Sequence, residues 1–402
     1  MQNRLQLLLA LLAFVVTSAM AQITTSGISG KISSNGETVI GATVTATHQP
    51  SGTVYRAVTN VDGRYTIQGM RPGGPYKVSI SYIGYKDKVF NNVSLSLGET
   101  ENISCSLQED AHQLQEVVVS GKAGLAASRT GAATSMTAEQ INNMPSITHG
   151  IADVARLNPQ LTVTNSGNMS FAGVNNRYNN FMIDGAANND VFGLAPSGNN
   201  GGQAGAQPVS METIEQIQVS VAPFDVRQSG FTGGAINAIT KSGTNKFHGS
   251  AYYYGYNQDL IGTKYPYLDG TGYAPKYQKQ TQYNMGVTLG GPIIKNKLFF
   301  FANYERTNKE YPNLYGVDSG NSKVDTEQAK DILTMLQKMA EKQGVNFNDY
   351  YSNQDIYTKS DKAGLKLDWN INEFNKFAIR WSLVKAEQLS GGGSASSLNS
   401  YG

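Results

Sequence analysis

From Lys246 to Leu389 the chain keeps a two-residue rhythm that few architectures permit. In Tyr283–Leu289 the odd positions are apolar and the even positions small or polar. Leu298–Glu305 is mostly apolar, with Asn303 and Glu305 on one parity, and Ala363–Trp369 and Phe377–Leu383 alternate cleanly. With Lys246–Tyr256 these make five segments of about ten residues, the length a tilted strand needs to cross a bilayer. Successive side chains of a strand point to opposite faces, so each segment would present one apolar and one polar face. A soluble sandwich would bury the apolar face in a core, whereas an outer-membrane barrel turns it to lipid. The connections separate the two. Asn257–Lys279 is long, Gly290–Lys297 short, Thr307–Asp361 very long and Asn370–Asn375 short. A barrel with long outer loops and short inner turns has this alternation; a sandwich has no reason for it. Trp369 and Trp381, near or within strand ends, suit an interfacial girdle. The outer loop is predicted to carry a loop-packing helix whose Ala329, Ile332, Leu333, Leu336, Met339 and Ala340 share a face before Gly344.

The rest of the chain is organised toward this wall. The 402 residues are enough for two or three domains, and a net charge of +2 implies no nucleic-acid partner. Residues 1–21 read as a signal peptide, with Arg4, an apolar run from Leu5 to Val16, and Ala19-Met20-Ala21 before the cleavage point. No later run is apolar for the ~18 residues that a spanning helix requires. Residues 22–110 read as a β-sandwich. Short runs at Gly27–Ile32, Thr43–Thr47, Tyr55–Thr59, Arg64–Gln68, Tyr76–Tyr82, Lys88–Val93 and Glu101–Leu107 are separated by turn signals such as Asn35-Gly36 and Asp62-Gly63. Residues 111–125 form a linker holding Glu116-Val117-Val118-Val119. Bare valines of this kind are an edge-pairing hazard unless a partner strand meets them, so the run is either a site for strand addition or the last strand of the sandwich.

In residues 126–245, Thr137 caps a helix with Gln140 three residues on, Met144-Pro145 ends it, and Ile147–Leu157 is predicted to form a second helix before Pro159. Two β-prone runs, Ile217–Val221 and Ala235–Thr240, flank a glycine-bearing turn just before the alternating region begins. Ser197–Ala206 is Gly-rich but lacks the Gly-Lys-Ser/Thr ending of a phosphate loop, and reads as a mobile loop.

Several of these stretches resemble known families. Val39–Val44, Thr59–Tyr65 and Ile83-Gly84-Tyr85 are similar to the carboxypeptidase-regulatory-like, transthyretin-like domain, which implies a spacer or a sugar-binding module. Glu116–Val119 resembles the energy-coupling box of TonB-dependent receptors. Phe181–Gly185 and Thr232–Lys241 resemble the buried strand, the Asp-Gly turn and the closing strand of their plug. Asn179–Asp190 and Lys241–Gly249 are most similar to the Oar-like branch. The implied fold is mainly β: an N-terminal sandwich, an α+β plug over 126–245, and over 246–402 the first five or so strands of a transmembrane antiparallel barrel, where such transporters have about 22. On this reading the chain is an N-terminal portion of a longer outer-membrane receptor, and its sandwich is periplasmic.

The resemblance implies energised uptake. A TonB-type periplasmic protein would pair with Glu116, Val117, Val118 and Val119. Arg177, Asp184, Gly185, Gly233, Gly234 and Asn237 become plug structural or substrate-side candidates. The other expected partners are outer-membrane lipid, an extracellular substrate that could be a glycan, a peptide or a metal chelate, and room for a surface lipoprotein. Gln218 and Val221 stand where many members carry Glu and Arg, and Ala172 where Arg is usual, so charged plug–barrel contacts do not carry over at those positions. No catalytic residue, metal site or cofactor is expected. His48, His112, His149 and His248 begin no metal motif, and Cys105 is the sole cysteine. The alternative is a surface glycan-binding or adhesive β-protein without transport.

Overall fold

The computed structural model describes residues 24–109, 117–119 and most of 132–389. Residues 145, 147–148, 165–168, 191–194, 196–197, 199–203, 222–230, 261–278, 313–325, 346–354 and 374 lie outside that set. The expected signal peptide, Glu116, most of the Gly-rich run and the chain beyond 389 therefore fall outside the described residues.

The first unit has nine strands: β1 (Ser26–Ser34), β2 (Glu37–Thr38), β3 (Thr43–His48), β4 (Thr53–Val58), β5 (Arg64–Met70), β6 (Gly73–Ser81), β7 (Lys88–Leu95), β8 (Thr100–Asn102) and β9 (Cys105–Ser106). One sheet runs β2-β1-β5, with β8 and β9 parallel to β1; the other runs β7-β6-β3-β4. The predicted last run, Glu101–Leu107, is broken in two at Ile103 and Ser104, where Ile103 N–H bonds to Ser29 and its carbonyl accepts from the Tyr65 hydroxyl. Alternate positions of β3 and β6 point inward, and Ile28, Val44, Tyr76, Val78 and Ile80 are fully buried between the sheets.

The second unit is a mixed sheet of β11 (Ala132–Thr137), β16 (Ile214–Val221), β17 (Gly234–Thr240), β14 (Asn180–Ile183) and β15 (Ala186–Ala187), in that order. A small hairpin, β12 (Leu161–Val163) with β13 (Met169–Phe171), lies beside it. Helix α1 (Ala138–Asn143) has the expected capping box between Thr137 and Gln140 and ends at Met144. Helix α2 is much shorter than predicted, only Ile151–Ala155. His149 has φ 47° and Gly150 is extended, so the backbone cannot be helical until Ile151. All seven residues of β17 are buried, as in a strand covered on both faces.

The third unit is a meander of β18 (His248–Asn257), β19 (Thr281–Ile294), β20 (Leu298–Tyr311), β21 (Ile356–Asn370) and β22 (Lys376–Leu389), each antiparallel to the next. Four of the strands run 14 or 15 residues rather than about ten, because ladder pairing continues past the apolar band into the loops. The short turns shrink to residues 295–297 and 371–375, and all fall on one side with His248.

The two parities separate as expected. Met285, Val287, Leu289, Tyr304, Leu365, Ile379 and Leu383 form an exposed outer face, while Thr288, Glu305, Lys362 and Lys366 are buried on the inner face together with Phe299 and Phe301. An apolar face left open over four neighbouring strands suits lipid and not water. Trp369 lies one residue from the end of β21, whereas Trp381 pairs with Leu365 in the middle of the band, away from the interfacial position expected of it. Helix α3 (Thr326–Gln343) also departs from expectation, since Ile332 and Met339 on its apolar face are 39% and 53% exposed. No helix among the described residues is long and apolar enough to span a membrane, which says nothing of strands.

Candidate functional site

The linker valines are paired. Val117–Val119 form β10, parallel to Lys88–Phe90 of β7, so the run takes the outer place in the sheet β10-β7-β6-β3-β4. The run is thus paired with the sandwich through β7. Among the described residues β10 is the end strand of that order, a position at which an incoming strand could pair.

The second unit is fastened to the wall by charge. Asp184 and Gly185 have φ of 48° and 80°, the left-handed pair of a tight Asp-Gly hairpin turn, and they join β14 to β15. The turn aims the Asp184 carboxylate at the wall. Thr240 donates to it twice, N–H to Oδ1 at 2.9 Å and Oγ1 to Oδ2 at 2.6 Å. Lys366 Nζ lies 3.1 Å from Oδ1 and Arg380 Nε 3.4 Å from Oδ2. Lys366 also donates to the Thr240 carbonyl at 3.0 Å, so one wall cation binds both a side chain and the backbone of the central sheet.

A second cluster lies nearby on the inner wall. Glu305 of β20 is ion-paired with Lys362 of β21, and both side chains are almost wholly buried. Ser210 Oγ, from the second unit, and the Tyr252 hydroxyl, from β18, donate to Glu305 Oε2 at 2.6 and 2.7 Å. Three elements thus supply donors to one carboxylate, which a buried charge needs in order to be tolerated. The charged contacts absent at Gln218, Val221 and Ala172 are therefore made elsewhere. Glu305, Lys362, Lys366, Arg380 and Ser210 were not singled out as site residues. The signal for the four charged ones is a charge at inward parity in an otherwise apolar alternation.

The expected glycines lie where the backbone is closely approached. A Cβ on Gly234 would lie 2.3 Å from the Phe171 ring, and one on Gly233 would lie 2.3 Å from Asn179 Oδ1. Asn237 is buried in mid-strand, opposite Met182 and Gln218. Arg177 is exposed in the 3-10 turn Asn176–Tyr178 and belongs to neither charged cluster. On the long-loop side, Ser146, His149, Tyr254, Tyr256, Gln282 and Asn284 line a cavity of about 390 Å³. There the His149 ring stacks on Tyr254 at 4.0 Å, and the Tyr254 hydroxyl donates to Glu212 at 2.9 Å.

These three units correspond to three known domain families. Residues 27–108 match the carboxypeptidase regulatory-like domain, 126–236 the TonB-dependent receptor plug domain, and 239–320 an outer membrane beta barrel domain. The TonB-dependent transporter Oar of Myxococcus xanthus is 29% identical over 273 residues, which cover 65% of this chain and 24% of that protein. The probable TonB-dependent siderophore receptor PirA of Acinetobacter baumannii is 25% identical over 188 residues, 43% of this chain and 22% of that protein. The chain spans about a quarter of the length of these curated relatives. Among solved structures, the siderophore receptor PirA from Acinetobacter baumannii aligns at TM-score 0.43 and 19% identity, over 65% of this chain and 32% of that one. The PirA receptor from Pseudomonas aeruginosa aligns at 0.39 and 16%, over 65% and 35%.

Proposed function

We infer that this chain, a TonB-dependent outer-membrane receptor by its three matched domains, is the plug-bearing part of an energised importer. The observation that carries this reading is the position of the plug sheet against the polar face of a wall whose other face is open and apolar. A lumen filled by a fastened plug does not leak, and it passes substrate only if the plug is moved. Substrate would enter from the long-loop side, where the His149–Tyr254 cavity opens. A TonB-type partner would add a strand to the Glu116–Val119 run and pull on the plug, with energy drawn from the inner-membrane proton gradient. The polar inner wall carries a hydrophilic substrate, whether glycan, peptide or metal chelate. The reading assigns no chemical step to the chain.

Deleting residues 116–119 from the full-length receptor tests it. Uptake is lost and surface binding of substrate is kept; undiminished uptake overturns the assignment. A surface adhesive or glycan-binding role without transport is disfavoured by the sandwich's position. It sits against the short turns, the inner side of a barrel, and not among the long loops.

A further inference from the structure

The N-terminal sandwich is bound to two bodies at once. Toward the plug, Leu97 is bracketed by two side-chain amides of β16: Gln216 Oε1 accepts from Leu97 N–H at 2.8 Å, and Gln218 Nε2 donates to the Leu97 carbonyl at 2.9 Å. All three residues are buried. The two glutamines sit one strand repeat apart on one face, so together they offer the donor and acceptor that a neighbouring β-strand would offer. Position 218, where many members of the resembled family carry Glu, is used for this instead.

Toward the wall, the contacts are made to the short turns and strand ends. Asn370 donates to Thr53 Oγ1 at 2.9 Å, and Asn245 N–H to the Pro50 carbonyl at 2.9 Å. Arg71 pairs with Asp368 at 3.3 Å, Arg56 with Glu373 at 2.6 Å, and Lys376 Nζ lies 3.3 Å over the Tyr55 ring. Any movement of the plug along the wall must break one set of these contacts.

The two sets differ in kind. The plug-side bonds are dry and would leave a buried N–H and C=O without partners if broken. The wall-side contacts are wetter than these: both partners of the Arg56–Glu373 pair are about half accessible, where water and salt weaken an ion pair, and the Arg71–Asp368 pair, though more covered, still has 25% and 18% of its side chains exposed. We propose that the sandwich is a periplasmic cap on the lumen that releases the rim of the wall and travels with the plug during uptake. The proposal rests on the transport reading above, and it assigns the sandwich a function in place of a spacer's.

Three single-cysteine reporters in the full-length receptor, each in a background where every native cysteine, Cys105 among them, is replaced by alanine, test it in intact cells with a small permeant maleimide. Thr53→Cys reports the rim contact. Leu97→Cys reports the plug contact, whose bonds are made by backbone and survive the substitution. Ser210→Cys reports plug movement itself. Labelling is compared between energised cells and cells treated with a protonophore. We expect energisation to raise labelling of Ser210→Cys and Thr53→Cys at least several-fold and to leave Leu97→Cys protected. If Ser210→Cys responds and Thr53→Cys does not, the cap stays on the rim and the proposal fails while the transport reading stands. A response at Leu97→Cys likewise overturns it, since the cap then parts from the plug. No response at Ser210→Cys sinks the transport reading and the cap with it.

Discussion

Asp184 of the plug and Lys366 of the wall meet at 3.1 Å, with Arg380 of the neighbouring strand 3.4 Å away on the other carboxylate oxygen. One acid of the plug holds two bases of the wall. Removing the acid leaves two partly buried cations facing each other without a counter-charge, and breaking a pair of this kind costs about 3 kcal/mol or more when it is fully buried. The Asp184 side chain is 17% exposed, which lowers that figure somewhat. Asp184→Asn should therefore loosen the plug by about 2 kcal/mol, read as a lower unfolding midpoint and faster proteolysis of the plug in the purified receptor. The double change Asp184→Asn with Lys366→Met should recover most of the loss. If the double variant is no better than the single one, the contact is not the fastening described.

The Glu305–Lys362 pair makes the complementary prediction. Its partners are more deeply buried, and Ser210 and Tyr252 depend on the same carboxylate. Glu305→Gln should cost about 3 kcal/mol, because Lys362 keeps its charge in a buried site. Replacing both, as Glu305→Leu with Lys362→Met, should cost much less, since an apolar pair pays no desolvation penalty. Denaturant midpoints of the three variants decide it; a double variant at least as unstable as Glu305→Gln contradicts the account.

How far these contacts were legible in the sequence follows from what kind of signal each one leaves. The wall strands were plain, because alternation over Tyr283–Leu289 or Phe377–Leu383 is a local property with one period. The capping box at Thr137 and Gln140 and the turn at Asp184-Gly185 were plain for the same reason. The partner of Asp184 was not, because Lys366 lies 182 residues away and only the packing of the plug against the wall brings them together. Gln216 and Gln218 carried no local signal of docking, since their partner is the backbone of Leu97, which any residue could supply. The sequence predicts too long a second plug helix, because a helical pattern in Ile147–Leu157 does not reveal that His149 is held in a left-handed conformation.

Gly234 tests the packing of the plug. A methyl group added there would overlap the Phe171 ring, which is itself fully buried and cannot swing aside. Gly234→Ala should cost about 1–3 kcal/mol, the range for overpacking a filled core. Gly233→Ala should cost less, since the atom it meets first is the end of the Asn179 side chain. Expression level and thermal midpoint of the two variants should rank in that order, and the reverse ranking would refute the packing argument.

His48 makes the sandwich sensitive to acid. Its ring lies in the core against Tyr76, with Nδ1 2.6 Å from Ser51 Oγ. Burial first, and the nearby Arg71 second, pull its pKa down to about 3 from an ordinary 6.5. The sign follows from which state takes up the proton. Below pH 6.5 the unfolded chain protonates this ring while the folded chain does not, so acid favours unfolding all the way down to about pH 3. The slope approaches about 1.4 kcal/mol per pH unit, which gives about 2 kcal/mol lost between pH 7 and pH 5. His48→Gln removes the titrating group and should flatten that part of the pH profile, at whatever stability it starts from. The measurement is the midpoint of the sandwich's thermal transition at pH 7, 6 and 5 for both proteins. Parallel profiles would mean that His48 takes up its proton at the same pH in the folded and the unfolded chain, and the buried ring held neutral in the fold would be wrong.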